Sequence, residues 1–109
     1  KTDPNSIDMP ERITKDEFLY VQDEGGTMLV LFGAPWCGHS KALQPVWKKL
    51  QAAYPKHVTQ VDCVAEPVLC NAHAITGYPT IGLVRAYTRE DYTGPRTYDG
   101  ISKWFKERL

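Results

Sequence analysis

Cysteine is sparse in this chain: three in 109 residues, an odd number that leaves one thiol over from any single pair. No Cys or His motif completes a four-ligand metal site, because His57 and His73 stand isolated and read as surface residues, so neither a metal nor a cofactor is expected. An excess of charge of one sign is also lacking. Lys plus Arg and Asp plus Glu number 13 each, which gives no reason to expect nucleic acid or an anionic membrane surface as a partner. No apolar run approaches the roughly 18 residues that span a bilayer, so membrane insertion is not expected. A leader pattern is missing too: the chain opens Lys1-Thr2-Asp3-Pro4 and reads as a mature protein or an excised domain. Without repeats, low-complexity tracts or a linker, residues 1–109 read as a single domain, with about 1–10 as a loosely ordered N-terminal segment.

What is there concentrates around Gly33-Ala34-Pro35-Trp36-Cys37-Gly38-His39-Ser40-Lys41. The apolar run Met28-Leu29-Val30-Leu31-Phe32 leads into this stretch, as a central strand covered on both faces would, and an amphipathic helical pattern leaves it. A cysteine at a strand-to-helix junction faces the unpaired N–H groups of the first helical turn, whose partial charge favours a thiolate. A free thiol near its reference pKa of about 8.5 is only ~3% ionised at neutral pH, so such help matters. The bland alternative, a small buried hydrophobe at Cys37, accounts neither for the Gly-His that follows nor for the Trp that precedes.

The remaining elements read from local patterns. Thr14 and Glu17 form a capping box for a helix to about Asp23 that buries Phe18, Leu19 and Val21, ended by Glu24-Gly25-Gly26. A short first strand is expected near Ile7 to Met9. The helix after Cys37 should run from about Gly38 to Ala53, burying Leu43, Val46, Trp47 and Leu50 and kinked at Pro45. His57 to Cys63 reads as a strand, and Glu66-Pro67 opens a short helix through about His73. Ile81 to Ala86 is the next strand, and a hairpin follows whose last strand is about Arg96 to Tyr98. Asp99 or Ser102 caps a final helix through Arg108, with Trp104 and Phe105 inward. The Tyr78-Pro79 bond admits either isomer at small cost, and an ordinary turn proline is the simpler local reading.

Ala-Pro-Trp-Cys-Gly-His followed by Lys41 closely resembles the active-site segment of protein disulfide isomerase domains. The likeness continues through Pro45, Val61-Asp62-Cys63, Gly77-Tyr78-Pro79-Thr80 and Tyr92-Thr93-Gly94-Pro95-Arg96, in family order, over about residues 14 to 108. The resemblance implies an α/β thioredoxin fold: a central mixed sheet flanked by helices, in the order β-α-β-α-β-β-α, with a kinked active-site helix. It makes Cys37 the nucleophile, with Gly38, His39 and Arg96 adjusting the site. It makes Pro79 cis, and Trp36, Tyr78, Pro79 and Thr80 the surface that holds an extended substrate. Cys63 and Cys70 resemble pairs that form a structural disulfide in such domains; a second redox or metal pair is the alternative. The setting implied is the endoplasmic reticulum lumen or secretory pathway. Implied partners are proteins or peptides with cysteines, held as mixed disulfides, small thiols such as glutathione, and other domains of the same full-length protein.

The chain departs from the family pattern at Ser40, where the second, resolving cysteine belongs. A hydroxyl cannot release a substrate from Cys37, so mixed disulfides must await an outside thiol or the substrate's own cysteine. Leu31 stands where a family glutamate usually lies and Gln60 where a lysine does, the two groups that serve the second cysteine's proton. An engineered substrate trap and a natural one-cysteine form both fit. So do two other functions: the thioredoxin-like domain of a sulfhydryl oxidase, and a retention module that captures clients without turnover.

Overall fold

The apolar run becomes strand β1 (Thr27–Gly33), the centre of everything else. Residues 3–109 are described by the structure, a computed structural model. The other elements in chain order are helix α1 (Lys15–Asp23) before β1, then α2 (Gly38–Ala42), α3 (Gln44–Ala53), β2 (Val58–Asp62), α4 (Pro67–Ala72), β3 (Thr80–Arg85), β4 (Thr88–Asp91) and α5 (Tyr98–Lys106). They build a four-stranded sheet in the order β2-β1-β3-β4. β1 runs parallel to β2, with Leu29 beside Val58 and Phe32 beside Val61, and antiparallel to β3, with Leu31 beside Ile81.

Successive residues of a strand face opposite sides, so β1 feeds two cores at once. Met28, Val30 and Phe32 join Phe18 and Val21 of α1 and Leu69 of α4 on one face. Leu29 and Leu31 join Trp47 and Leu50 of α3 and Ile101 and Phe105 of α5 on the other. Trp47 is fixed further by its indole N–H, which donates to the Thr59 carbonyl at 2.7 Å.

The capping box at α1 is present as expected: the Glu17 N–H donates to Thr14 Oγ1 at 3.3 Å, and the Thr14 N–H to Glu17 Oε1 at 2.9 Å. Ile13 and Phe18, on either side of the box, are both buried in the same cluster, the arrangement of a hydrophobic staple. Leu19, expected inside, is 40% exposed, and Gln22 is buried instead. Phe18, Val21 and Gln22 share a helix face at spacings of three and four, whereas Leu19 lies a hundred degrees round from Phe18. The Gln22 amide donates to the Ala86 carbonyl at 2.8 Å, which satisfies it in the core.

Other expectations need correction. No strand forms at Ile7–Met9. The Met9 N–H turns to the Pro55 carbonyl at 2.7 Å, Pro10 has no N–H to give, and pairing with β2 shrinks to one parallel bridge between Arg12 and Gln60. The same segment is held by Asn5, whose amide reaches the carbonyls of Thr27 and Lys56, each at 2.9 Å. The helix expected over 38–53 is two helices that meet at Leu43, because Pro45 cannot donate to the Lys41 carbonyl. The hairpin partner of β3 is β4, not Arg96–Tyr98: the chain turns at once through Ala86, at φ 48, so that Arg85 pairs with Thr88. Thr97, rather than Asp99 or Ser102, caps α5, accepting from the Gly100 N–H at 3.1 Å. Ser102 is buried and bonds the Tyr54 hydroxyl at 2.8 Å. Trp104 is only half-buried, between the Tyr92 ring and the Arg108 guanidinium. His57 and His73 are half-buried rather than on the open surface, each with its ring against aromatic side chains.

Candidate functional site

At the end of β1 the chain leaves the sheet and turns over Ala34, whose carbonyl accepts from the Cys37 N–H at 3.0 Å. Cys37 is then the N-cap of α2, in extended backbone (φ −80°, ψ 121°), partly exposed and free of any disulfide. Its sulfur therefore looks along the first turn of the helix. The Ser40 N–H, above all, holds the thiol below its ordinary pKa, helped by the Ser40 hydroxyl, the His39 N–H and the positive charge of Arg96, against partial desolvation. What reaches Cys37 from His39 is the backbone N–H, while the residue itself is exposed.

The opposite wall comes from the segment before β3. The Tyr78–Pro79 bond is cis, Pro79 is buried, and the Cys37 sulfur lies 3.8 Å from the Tyr78 carbonyl. Trp36, 67% exposed, sets its ring edge-on to Tyr78 at 5.8 Å. Thr80 begins β3, with its hydroxyl on the Gly77 carbonyl at 2.8 Å. Cys37, Trp36, Tyr78 and Pro79 thus meet around one sulfur, and Arg96 adds its charge from the stretch between β4 and α5.

Ser40 is 4% exposed, and its Oγ accepts from the Ala34 N–H at 3.4 Å. Gly33 packs closely beside it: a Cβ there would lie 2.9 Å from Ser40 Oγ, so a side chain at this position would force Ser40 to shift. Behind Ser40 lies a cavity of about 130 Å³ whose lining includes Leu31, Gln44 and Gln60. The Gln44 amide donates to Gln60 Oε1 at 2.9 Å and the Gln60 amide returns a bond to Gln44 Oε1 at 3.3 Å. With Leu31 opposite, neither a carboxylate nor an ammonium stands at these positions. Sequence reasoning missed Gln44, although its place one helical turn after Ser40 was a usable signal.

Cys63 and Cys70 are joined by a disulfide with an S–S distance of 2.09 Å, both sulfur-bearing residues buried and separate from Cys37. Among the described residues no group of three or more His, Cys, Asp or Glu is placed to hold a metal ion, and no helix is long and apolar enough to cross a membrane.

A mixed four-stranded sheet flanked by helices, with a cysteine capping a helix beside a cis-proline, is the α/β thioredoxin fold. The chain belongs to the thioredoxin family, whose model matches residues 10–107. Its relatives include protein disulfide-isomerase A2 of Mus musculus, 40% identical over 94 residues covering 79% of this chain and 18% of that protein. A probable protein disulfide-isomerase A4 of Caenorhabditis elegans is 35% identical over 116 residues, covering 99% of this chain and 19% of the relative. The chain thus spans about a fifth of the length of such relatives. The solution structure of the first thioredoxin domain of mouse protein disulfide-isomerase A4 superposes with a TM-score of 0.73 at 28% identity, covering 88% of this chain and 72% of that one.

Proposed function

We propose that this chain is a thiol–disulfide exchange domain of the protein disulfide isomerase kind, acting on protein cysteines in the endoplasmic reticulum lumen. The observation that carries this reading is Cys37 itself: a partly exposed thiol at a helix start, drawn toward the thiolate, 3.8 Å from the Tyr78 carbonyl beside a cis-proline. The Cys37 thiolate attacks one sulfur of a client disulfide. A Cys37–client S–S bond forms, the client S–S bond breaks, and the other client sulfur leaves as a thiolate. Gly38 keeps the approach open, and the edge at Tyr78, Pro79 and Thr80 pairs with the extended client while Trp36 offers it an apolar surface.

Resolution comes from outside. Ser40 has no thiol to attack the mixed disulfide, so a second client cysteine or a small thiol such as glutathione must do so. Isomerisation by one thiol remains open; net oxidation through an internal disulfide does not. A retention role, capture without turnover, has a specific support in the neutral Gln44–Gln60 pair and Leu31 behind Ser40, where the usual glutamate and lysine are both replaced and Asp62 is the carboxylate left in the cavity lining. The sulfhydryl-oxidase reading has no comparable support. Residues 1–109 are read as one domain, working beside other domains in a longer protein.

Insulin reduction with glutathione tests the proposal. Many turnovers per chain are expected of an enzyme, a one-to-one Cys37 adduct that stalls is expected of a retention module, and no adduct at all contradicts both. Ser40→Cys, assayed for dithiol oxidase activity, then separates a trap from a one-thiol site: full activity marks an engineered trap, and near-silence marks a site without proton transfer.

A further inference from the structure

The loop between Cys63 and Cys70 is held in place and yet presents apolar side chains to solvent. Val64 is 56% and Val68 65% exposed, while Leu69 and Cys70 beneath them are buried. The loop is not free to hide them. The Asp62 carboxylate accepts from the N–H groups of Val64 and Ala65 at 2.9 and 3.2 Å, and the Glu66 N–H closes the turn on the Asp62 carbonyl at 2.8 Å. The disulfide ties both ends. An apolar surface already fixed in position loses little conformational entropy when something docks on it.

The loop is also joined to the two segments that make the site. At one end the Cys63 N–H donates to the Gly33 carbonyl at 2.8 Å, four residues before Cys37. At the other the Ile75 N–H donates to the Cys70 carbonyl at 3.0 Å, at the start of the stretch that leads to Tyr78 and the cis-proline. A partner chain already held at Cys37 is therefore the occupant within reach. A second copy of this chain is the poorer fit, since two exposed valines fall far short of the roughly 800 Å² a side of a stable dimer interface.

We propose that the disulfide-clasped loop is an apolar docking surface for the client, and that the domain selects cysteines flanked by an aliphatic or aromatic residue. The proposal rests on the exchange function above and names its substrate class. Its test uses short peptides carrying one cysteine as a mixed disulfide with 2-nitro-5-thiobenzoate. Cys37 attacks the peptide sulfur, the Cys37–peptide S–S bond forms, and the coloured thiolate leaves and is read by absorbance. Below saturation, a peptide with Val or Leu flanking the cysteine should react about tenfold faster than its Ser counterpart, the scale of partly burying two valines. Val64→Ser with Val68→Ser should remove most of that preference, Val68→Lys alone should weaken it, and the rate with the small disulfide 5,5′-dithiobis(2-nitrobenzoate) should stay unchanged in both. A wild-type chain indifferent to the flanking residue, a double variant that keeps the preference, or an equal loss toward the small disulfide would each overturn the docking proposal. A Cys37 inert even to the small disulfide would overturn the exchange function beneath it.

Discussion

Ser40 has its hydroxyl on the Ala34 N–H and beside the Cys37 sulfur, so one residue both steadies the turn and helps draw the thiol down. His73 makes a second residue-scale point. Its ring meets Phe18 edge-on at 5.0 Å and Phe32 at 5.8 Å, and Arg89 Nη1 donates to its carbonyl. Desolvation first, and the Arg89 charge second, lower its pKa below the ordinary 6.5. The unfolded chain therefore takes up this proton more readily than the folded one. The stabilising contribution is complete above about pH 6.5 and is lost as pH falls from there through the lower folded value. His57 is lowered too, by burial, with Asp3 opposing, and acts in the same direction. His73→Phe keeps an aromatic ring and removes the proton. Urea midpoints at pH 7.5 and 5.5 should differ less in this variant than in the parent; an equal difference would exclude His73 as a source of acid sensitivity.

At the scale of elements, short-range signals decided what could be foreseen. The α1 cap was legible because Thr14 and Glu17 are three residues apart, and Thr14→Ala should cost about 1 kcal/mol in denaturant unfolding. An unchanged midpoint would mean the box contributes nothing. β1 was legible because both faces are covered, and a kink at Pro45 because it removes a donor, although the helix in fact breaks in two at Leu43. The errors lie where distant partners choose. Ile7–Met9 has strand-like residues, but the Pro55 carbonyl claims the Met9 N–H. Arg96–Tyr98 looks extended, yet the immediate reversal at Ala86 gives β3 its partner earlier and frees Thr97 to cap α5. At the site, Cys37 could be read from its strand-to-helix junction, whereas the cis Pro79 and the place of Arg96 came only with the family resemblance. The Gln44–Gln60 pair could not be read, because it joins a helix to a strand across a cavity.

Across the whole molecule, two cores hold β1 from either face, and its end delivers Cys37 to the wall built by the Tyr78–Pro79 turn. The Cys63–Cys70 disulfide closes an eight-residue loop near the same end and should contribute roughly 2–3 kcal/mol on the loop-entropy account. Cys63→Ala with Cys70→Ala should lower unfolding stability by that amount. In denaturant, thiol titration of the parent should give one thiol before reduction and three after; three at the outset would remove the disulfide from the account. The central claim is that this architecture holds Cys37 partly exposed, with its thiol drawn below its ordinary pKa. Its most direct test is the rate of iodoacetamide alkylation of Cys37 as a function of pH. The account predicts a midpoint below that of an ordinary free cysteine. A midpoint at or above that value, or a sulfur that fails to react until the protein unfolds, would contradict it.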